Sequence, residues 1–315
     1  MDAEKGEGVD VARRYHVKGF PTFILVNADG DVLDRWMGYE DVPKLLETMD
    51  VALDDPITVD ARVRRFRSEP TGDDAKRLAD IRYYSGFYGD AVGYYKRAEA
   101  LSADSDTNWD QHVFDALADG ALYSGLYTAD EVGEVADAAM RADGRTPDNV
   151  LHIARVMMRL ARGDADRFVP YLSRAIEETD GVADAEATRA RLLPDYALHV
   201  TKDVEAAVAY KKATLDEGWM DSSGELNNFA WWCFENEVNL DEAEEMARKG
   251  VELAEPGTER ANVLDTLAEL CNLKGDCREA LELIRQALEE NPSSDYLKNQ
   301  LARFEEILKE QEQKG

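Results

Sequence analysis

Three cysteines, Cys233, Cys271 and Cys277, are the only thiols among 315 residues. None forms a Cys-x-x-Cys pair, so the chain lacks both a dithiol redox motif and the usual zinc-knuckle spacing. Cys271 and Cys277 fall on two successive helices and could meet at the turn between them. The favoured reading is that they are small buried apolar residues. The histidines His16, His112, His152 and His199 are scattered, with no second His or Cys at metal-binding spacing. No Gly-rich phosphate loop, Gly-x-Ser-x-Gly or His-Glu-x-x-His occurs. Carboxylates are so frequent that any one pair says little. The sequence therefore offers no catalytic constellation, no metal site and no cofactor. What remains are the aromatics Tyr84, Tyr88 and Trp232 on helices, which could line a peptide groove or pack between repeats.

The elements that would position them fall into two kinds. Asp10 to His16 is a short helical stretch, broken at Gly19-Phe20-Pro21. Thr22 to Val26 is a continuous apolar run, read as a strand buried on both faces. Asn27-Ala28-Asp29-Gly30 turns the chain, and Asp31 to Met37 returns it. Asp41 can cap a helix with Val42, Leu45, Leu46 and Met49 on one face. After Asp54-Asp55-Pro56 the strand-like runs stop, and Ala, Leu, Asp, Glu and Arg dominate. This places one domain at residues 1–54 and a second at 57–315, with a linker helix over 57–67.

The second domain has a period. Ala206, Ala243 and Ala280 are 37 apart, as are Tyr210, Ala247 and Ile284, and Ala213, Gly250 and Ala287. Small residues seven apart lie on one helix face and let a neighbouring helix approach closely. Leu193 with Ala197, Ala230 with Phe234, and Leu267 with Cys271 recur on the helix before each. Stacked helix pairs produce such a pattern. The spacing predicts plain helices over 130–142 and 149–162, six or seven pairs in all, and a final polar helix from Ser294. Pro194 should start, kink or split its helix. Gly275 should end one helix and Asp276 cap the next.

Two resemblances follow. Leu264, Leu267-Ala268, Cys271, Gly275, Ala280, Ile284, Ala287 and Pro292 closely resemble a tetratricopeptide repeat. Leu78-Ala79, Gly86, Ala91, Tyr95 and Ala98 resemble a second. The string Tyr15 to Phe23, then Asn27-Ala28-Asp29-Gly30 and Gly38-Tyr39, resembles the second half of a thioredoxin domain over about 50 residues. That resemblance implies a cis bond before Pro21 and a loop, Phe20, Pro21 and Thr22, whose backbone pairs with extended substrate. The redox half of that family is missing, with no Trp-Cys-x-x-Cys. Either the chain is a truncated reading of a longer protein, or the segment docks on the helices.

The expected fold is mostly α: a tetratricopeptide-like α-solenoid preceded by a partial α-β-β-α thioredoxin-like segment. The expected function is a protein-interaction scaffold or co-chaperone-like adaptor, redox-inactive as written, with a polypeptide partner or client. The alternative is a truncated thiol–disulfide oxidoreductase whose Cys-x-x-Cys lies upstream of Met1. A net charge of −29, from 66 acids against 37 Lys and Arg, opposes nucleic acid. It reads as a solvated acidic surface or as a preference for basic or apolar partners. No run of about 18 apolar residues is present, so no membrane span is expected. The start lacks a secretory signal, which places the chain in the cytoplasm as written. An extension upstream could carry an export signal and make it periplasmic. A groove gripping a C-terminal carboxylate needs Lys or Arg, and helix 226–237 has none.

Overall fold

Local chemistry sets the ends of most elements. In the computed structural model, which describes residues 5–102 and 107–314, the first helix is α1 (Glu7–Arg14). β1 (Thr22–Val26) and β2 (Val32–Met37) then form an antiparallel hairpin pairing Phe23 with Trp36 and Ile24 with Arg35. Asn27 closes its turn by accepting from the backbone N–H groups of Asp29 and Asp31. The carboxylate of Asp41 accepts from Lys44 N at 2.8 Å and caps α2 (Val42–Asp54), with Pro43 in its first turn. Thr58 and Thr71 cap α3 (Val59–Ser68) and α4 (Gly72–Tyr84) in the same way.

The chain divides into two units at Ala185/Glu186. The boundary read at 54–57 thus lies inside the first unit. There α4 pairs with α5 (Tyr88–Leu101), α6 (Trp109–Ser124) with α7 (Ala129–Arg141), and α8 (Pro147–Leu160) with α9 (Ala165–Glu178). Capping boxes at Thr128/Glu131 and Thr146/Asn149 start α7 and α8. The core is built from small and branched residues such as Ala75, Leu78, Phe114, Ala136, Leu151 and Leu172. Gly120 is required by this packing: a Cβ there would lie 2.7 Å from the Tyr127 ring.

The α-β-β-α segment packs on α4. Arg35 reaches from β2 to the C-terminal end of α4, donating to Ser85 Oγ at 2.7 Å and Tyr84 O at 3.4 Å. It also donates to the carbonyls of Tyr15 and His16. A cation belongs at a helix C-terminus, where carbonyls lack partners. Gly86, at φ +79°, turns the chain between α4 and α5, and Lys18 lies against it. The segment is fastened a second time through Asp55. Arg62, 2% exposed, bridges Asp55 at 2.7 Å and Asp74 at 2.8 Å, and Arg65 pairs with both carboxylates. β1 differs from the expectation. It is half-buried rather than covered on both faces, and Val26 is exposed, because β1 pairs only with β2 among the described residues.

The second unit begins with the short α10 (Glu186–Ala190). α11 (Leu193–Tyr196), with Pro194 in its first turn, continues as a π turn over Ala197–Thr201 and packs on α12 (Val204–Ala213). Next come the pairs α13 (Ser223–Asn236) with α14 (Leu240–Leu253), and α15 (Thr258–Leu273) with α16 (Cys277–Glu290). α17 (Asp295–Lys314) closes the unit. Gly275 has φ +94°, and Asp276 caps α16 as expected.

Ala243, Ala247, Gly250, Ala280, Ile284 and Ala287 are buried, as the 37-residue period requires. The first copy departs from it. Ala207 rather than Ala206 is fully buried, and Tyr210 and Ala213 are exposed. An irregular π turn over Ala197–Thr201 precedes α12. Ala280→Leu puts extra carbons at a site with no exposure and lowers stability by about 1–3 kcal/mol. An unchanged denaturant midpoint would show that this face is not in contact. Among the described residues, no helix is long and apolar enough to cross a membrane.

Candidate polypeptide-binding face

The first helices of the three pairs in unit 1 share a face of polar and aromatic side chains, joined across helices. On α4, Lys76 Nζ donates to Asp80 Oδ2 at 2.8 Å. Tyr95, from α5, donates to Asp80 Oδ1 at 2.8 Å. Tyr83 Oη donates to Asp119 of α6 at 2.7 Å. Also on α6, Asp115 accepts from Gln111 Nε2 at 2.7 Å and lies 3.2 Å from His152 Nε2 of α8. Arg155 can only donate to His152 Nδ1, 3.0 Å away. That fixes the His152 proton on Nε2, where it is donated to Asp115. His112 stacks on Tyr95 with ring centroids 5.1 Å apart.

Burial sets the electrostatics. It pushes the Asp119 carboxyl up, against the lowering effect of the Tyr83 hydroxyl. It also pushes the Tyr84 phenol up to about 12, aided by the charges of Asp80 and Asp115, and holds His112 low. The face is therefore one of neutral rings beside carboxylates only partly matched by cations. It can stack on planar groups and accept hydrogen bonds from ammonium or guanidinium groups.

The residues singled out in the sequence lie in different places. Tyr84 is half-buried at the end of α4, and Tyr88 meets Tyr83 edge-on at 5.9 Å. Both border this face. Phe20, Pro21 and Thr22 lie elsewhere in the unit. Phe20 is 63% exposed, the Phe20–Pro21 peptide is cis, Pro21 O accepts from Gly38 N, and Thr22 Oγ1 donates to Gly19 O at 2.6 Å. Phe20 and Thr22 line an apolar groove of about 310 Å³ between α1 and β1. Trp232 belongs to the second unit, half-buried against the core around Phe229, Ala247 and Leu267. Within the first unit, neither Tyr84 nor Tyr88 lines the groove at Phe20 and Thr22.

Sequence reasoning missed Asp80, Asp115, Asp119 and His152. The i, i+4 spacing of Asp115 and Asp119 was the one signal, and it was lost among many acids. It also missed Lys211 of α12, whose Nζ donates to Asn228 Oδ1 of α13 at 2.9 Å. All three cysteines are buried, and burial pushes the Cys233 and Cys271 thiols up to about 12. Cys277 donates to Asn272 Oδ1 at 3.2 Å. Among the described residues, no three His, Cys, Asp or Glu side chains converge to hold a metal ion.

No family model matches this chain, and no curated protein matches it. Solved structures with similar folds include YrrB, described as a TPR protein with an unusual peptide-binding site. It is 15% identical with a TM-score of 0.36, and the match covers 78% of this chain and 100% of that one. Yeast Tom70 is 16% identical with a TM-score of 0.42, over 86% of this chain and 55% of that one. The TPR2AB domain of yeast Sti1, solved with a pHSP90 partner, is 16% identical with a TM-score of 0.27, over 74% and 96%. At these overlaps the neighbours do not bear on what the face binds.

Proposed function

We propose that the chain is a protein-interaction scaffold, a tetratricopeptide-type adaptor that holds a polypeptide segment and performs no dithiol chemistry. The observation that supports this most is the continuous face of α4, α6 and α8, where Tyr, His and Asp side chains are held by one another across three helices. Such pre-ordering reduces the side-chain entropy lost on binding. Helical repeats present side chains along an extended surface, which suits an extended segment. The −29 charge makes a nucleic acid an unsuitable partner. The thioredoxin-like resemblance of residues 1–54 is read as a docked structural segment.

Random dodecapeptides selected on the purified protein and remeasured by fluorescence anisotropy test the reading. Tyr84→Ala and Asp119→Ala should each weaken a selected peptide about tenfold, the effect of losing one charge-assisted or aromatic contact. Selected peptides whose affinity neither substitution alters would contradict it.

Thiol chemistry gives a separate check. Cys233 and Cys271 should react with Ellman's reagent only on the timescale of unfolding, because the thiolate is the nucleophile and burial suppresses it. The chain should not reduce insulin disulfides. Turnover abolished by substituting Cys271 or Cys277 would restore the oxidoreductase reading.

A further inference from the structure

A cavity of about 440 Å³ opens between α2, β2 and α4, within the usual size range of ligand sites. Asp34, Arg35 and Trp36 of β2 line one side, and Lys76, Arg77 and Asp80 of α4 another. Val51 and Thr48 of α2 close it. Three of these residues each hold a buried N–H without an acceptor among the described residues: Arg35 Nε, Trp36 Nε1 and Arg77 Nη1. Arg35 is only 4% exposed. Its terminal nitrogens are already used on the carbonyls of Tyr15, His16 and Tyr84 and on Ser85, which holds the side chain in place. Arg77 Nη2 is held by Val51 O at 2.7 Å, while its Nη1 stands 3.7 Å from Asp34 Oδ2, beyond hydrogen-bond reach. Trp36 stacks on Phe23 with centroids 5.7 Å apart, which holds the plane of the indole. A buried donor left unpaired is destabilising, because it has given up water for nothing.

The donors ask for an acceptor, and the charge around them selects which kind. Three cations, Arg35, Lys76 and Arg77, stand against three carboxylates, Asp34, Asp73 and Asp80. Lys76 is already paired with Asp80. The cleft thus has no surplus positive charge for an anion, and a carboxylate entering it would meet Asp34. A neutral carbonyl accepts two hydrogen bonds without that repulsion. We infer that the α2–β2–α4 cleft binds backbone amide carbonyls of a polypeptide, with Trp36 and Arg77 as the donors, Arg35 beside them, and Val51 and the Trp36 ring as the apolar wall. This takes the same class of partner as the reading above and shares Lys76, Asp80 and Tyr84 of α4 with that face. The probe below reports from the cleft itself, so its failure would leave the α6 and α8 face untouched.

The test is NMR on the full chain with ¹⁵N-labelled tryptophan and arginine. The five indole N–H signals are observed, with Trp36 assigned by its loss in Trp36→Phe. The probes are N-acetyl-alanyl-alanine N-methylamide, sodium acetate and methylammonium chloride at equal ionic strength. The blocked dipeptide should shift the Trp36 indole proton downfield and saturably, together with the Arg35 Nε–H, leaving the other indoles unmoved. Acetate should bind more weakly, and methylammonium not at all. Arg77→Met should weaken the dipeptide about tenfold, with the other indoles reporting an intact fold. A linear drift shared by all five indoles would overturn the proposal. So would acetate binding tighter than the dipeptide, or wild-type affinity in Arg77→Met.

Discussion

Asp74→Ala should destabilise the first unit by about 3 kcal/mol, near the low end of what breaking a buried ion pair costs. The reason is Arg62. Its guanidinium is 2% exposed and bridges Asp74 and Asp55 at the junction of α2, α3 and α4. Removing Asp74 leaves a buried cation with one carboxylate, Asp55, that is itself one-third exposed. Arg65 loses its contacts to Asp74 but is part-exposed, keeps Asp55 and can turn to water. Asp74→Asn keeps an acceptor and should cost less. Urea unfolding of the wild type, Asp74→Ala and Asp74→Asn measures the order. Equal stabilities would show that the bridge does not hold the segment.

The same network sets a pH sign. Hydrogen bonds from Arg65 and Arg62 hold Asp55 low, at about 2, and also lower Asp74. A carboxyl lowered in the folded state stabilises above its unfolded value near 3.9, and this is lost as pH falls through the folded value. The junction should therefore survive at pH 5 and weaken only below about 4.

Asp265 behaves in the opposite sense and gives the second large effect. It lies on α15, 7% exposed, with Tyr296 of α17 donating to Oδ2 at 3.0 Å and Oδ1 without a partner among the described residues. Burial pushes it up to about 6. A carboxyl raised in the folded state opposes folding when ionised. Stability is lowest above pH 6 and grows as pH falls toward the unfolded value. Asp265→Asn removes the ionisation and keeps an acceptor for Tyr296. It should stabilise the second unit by about 2–3 kcal/mol at pH 8, a shift of about two pKa units, and by little below pH 4. Asp195, pushed up to about 6 by burial, and Glu269, also raised, add to the wild-type dependence. The difference between variant and wild type at each pH isolates Asp265. A variant less stable at pH 8 would reverse the assignment.

Much of the helical array was legible because its signals are local. Small residues at fixed spacing, such as Ala243, Gly250, Ala280 and Ala287, have no reason to recur except close helix contact. Asp41 and Asp276 cap where they were expected. The first copy at Ala206 departs from the period, with Ala207 buried in its place, and the π turn over Ala197–Thr201 before it leaves no residue signature beyond Pro194. Arg35 was illegible for a different reason. It occupies an ordinary alternate position in Asp-Arg-Trp-Met, and only the packing of β2 on α4 buries it against carbonyls 49 residues away. The candidate face was legible only at Tyr84 and Tyr88. The contacts of Asp115 with His152, and of Tyr83 with Asp119, join separate helix pairs. No spacing within one helix encodes them.

The central claim is that polypeptide lies across α4, α6 and α8. Photo-crosslinking tests it most directly, using a selected dodecapeptide bearing benzoylphenylalanine and mass-spectrometric mapping of the adducts. The account predicts adducts concentrated at Tyr84, His112 and His152, competed away by unlabelled peptide and reduced in Asp119→Ala. Competed adducts confined to α5, α7 or α9, or to the groove at Phe20, would contradict it.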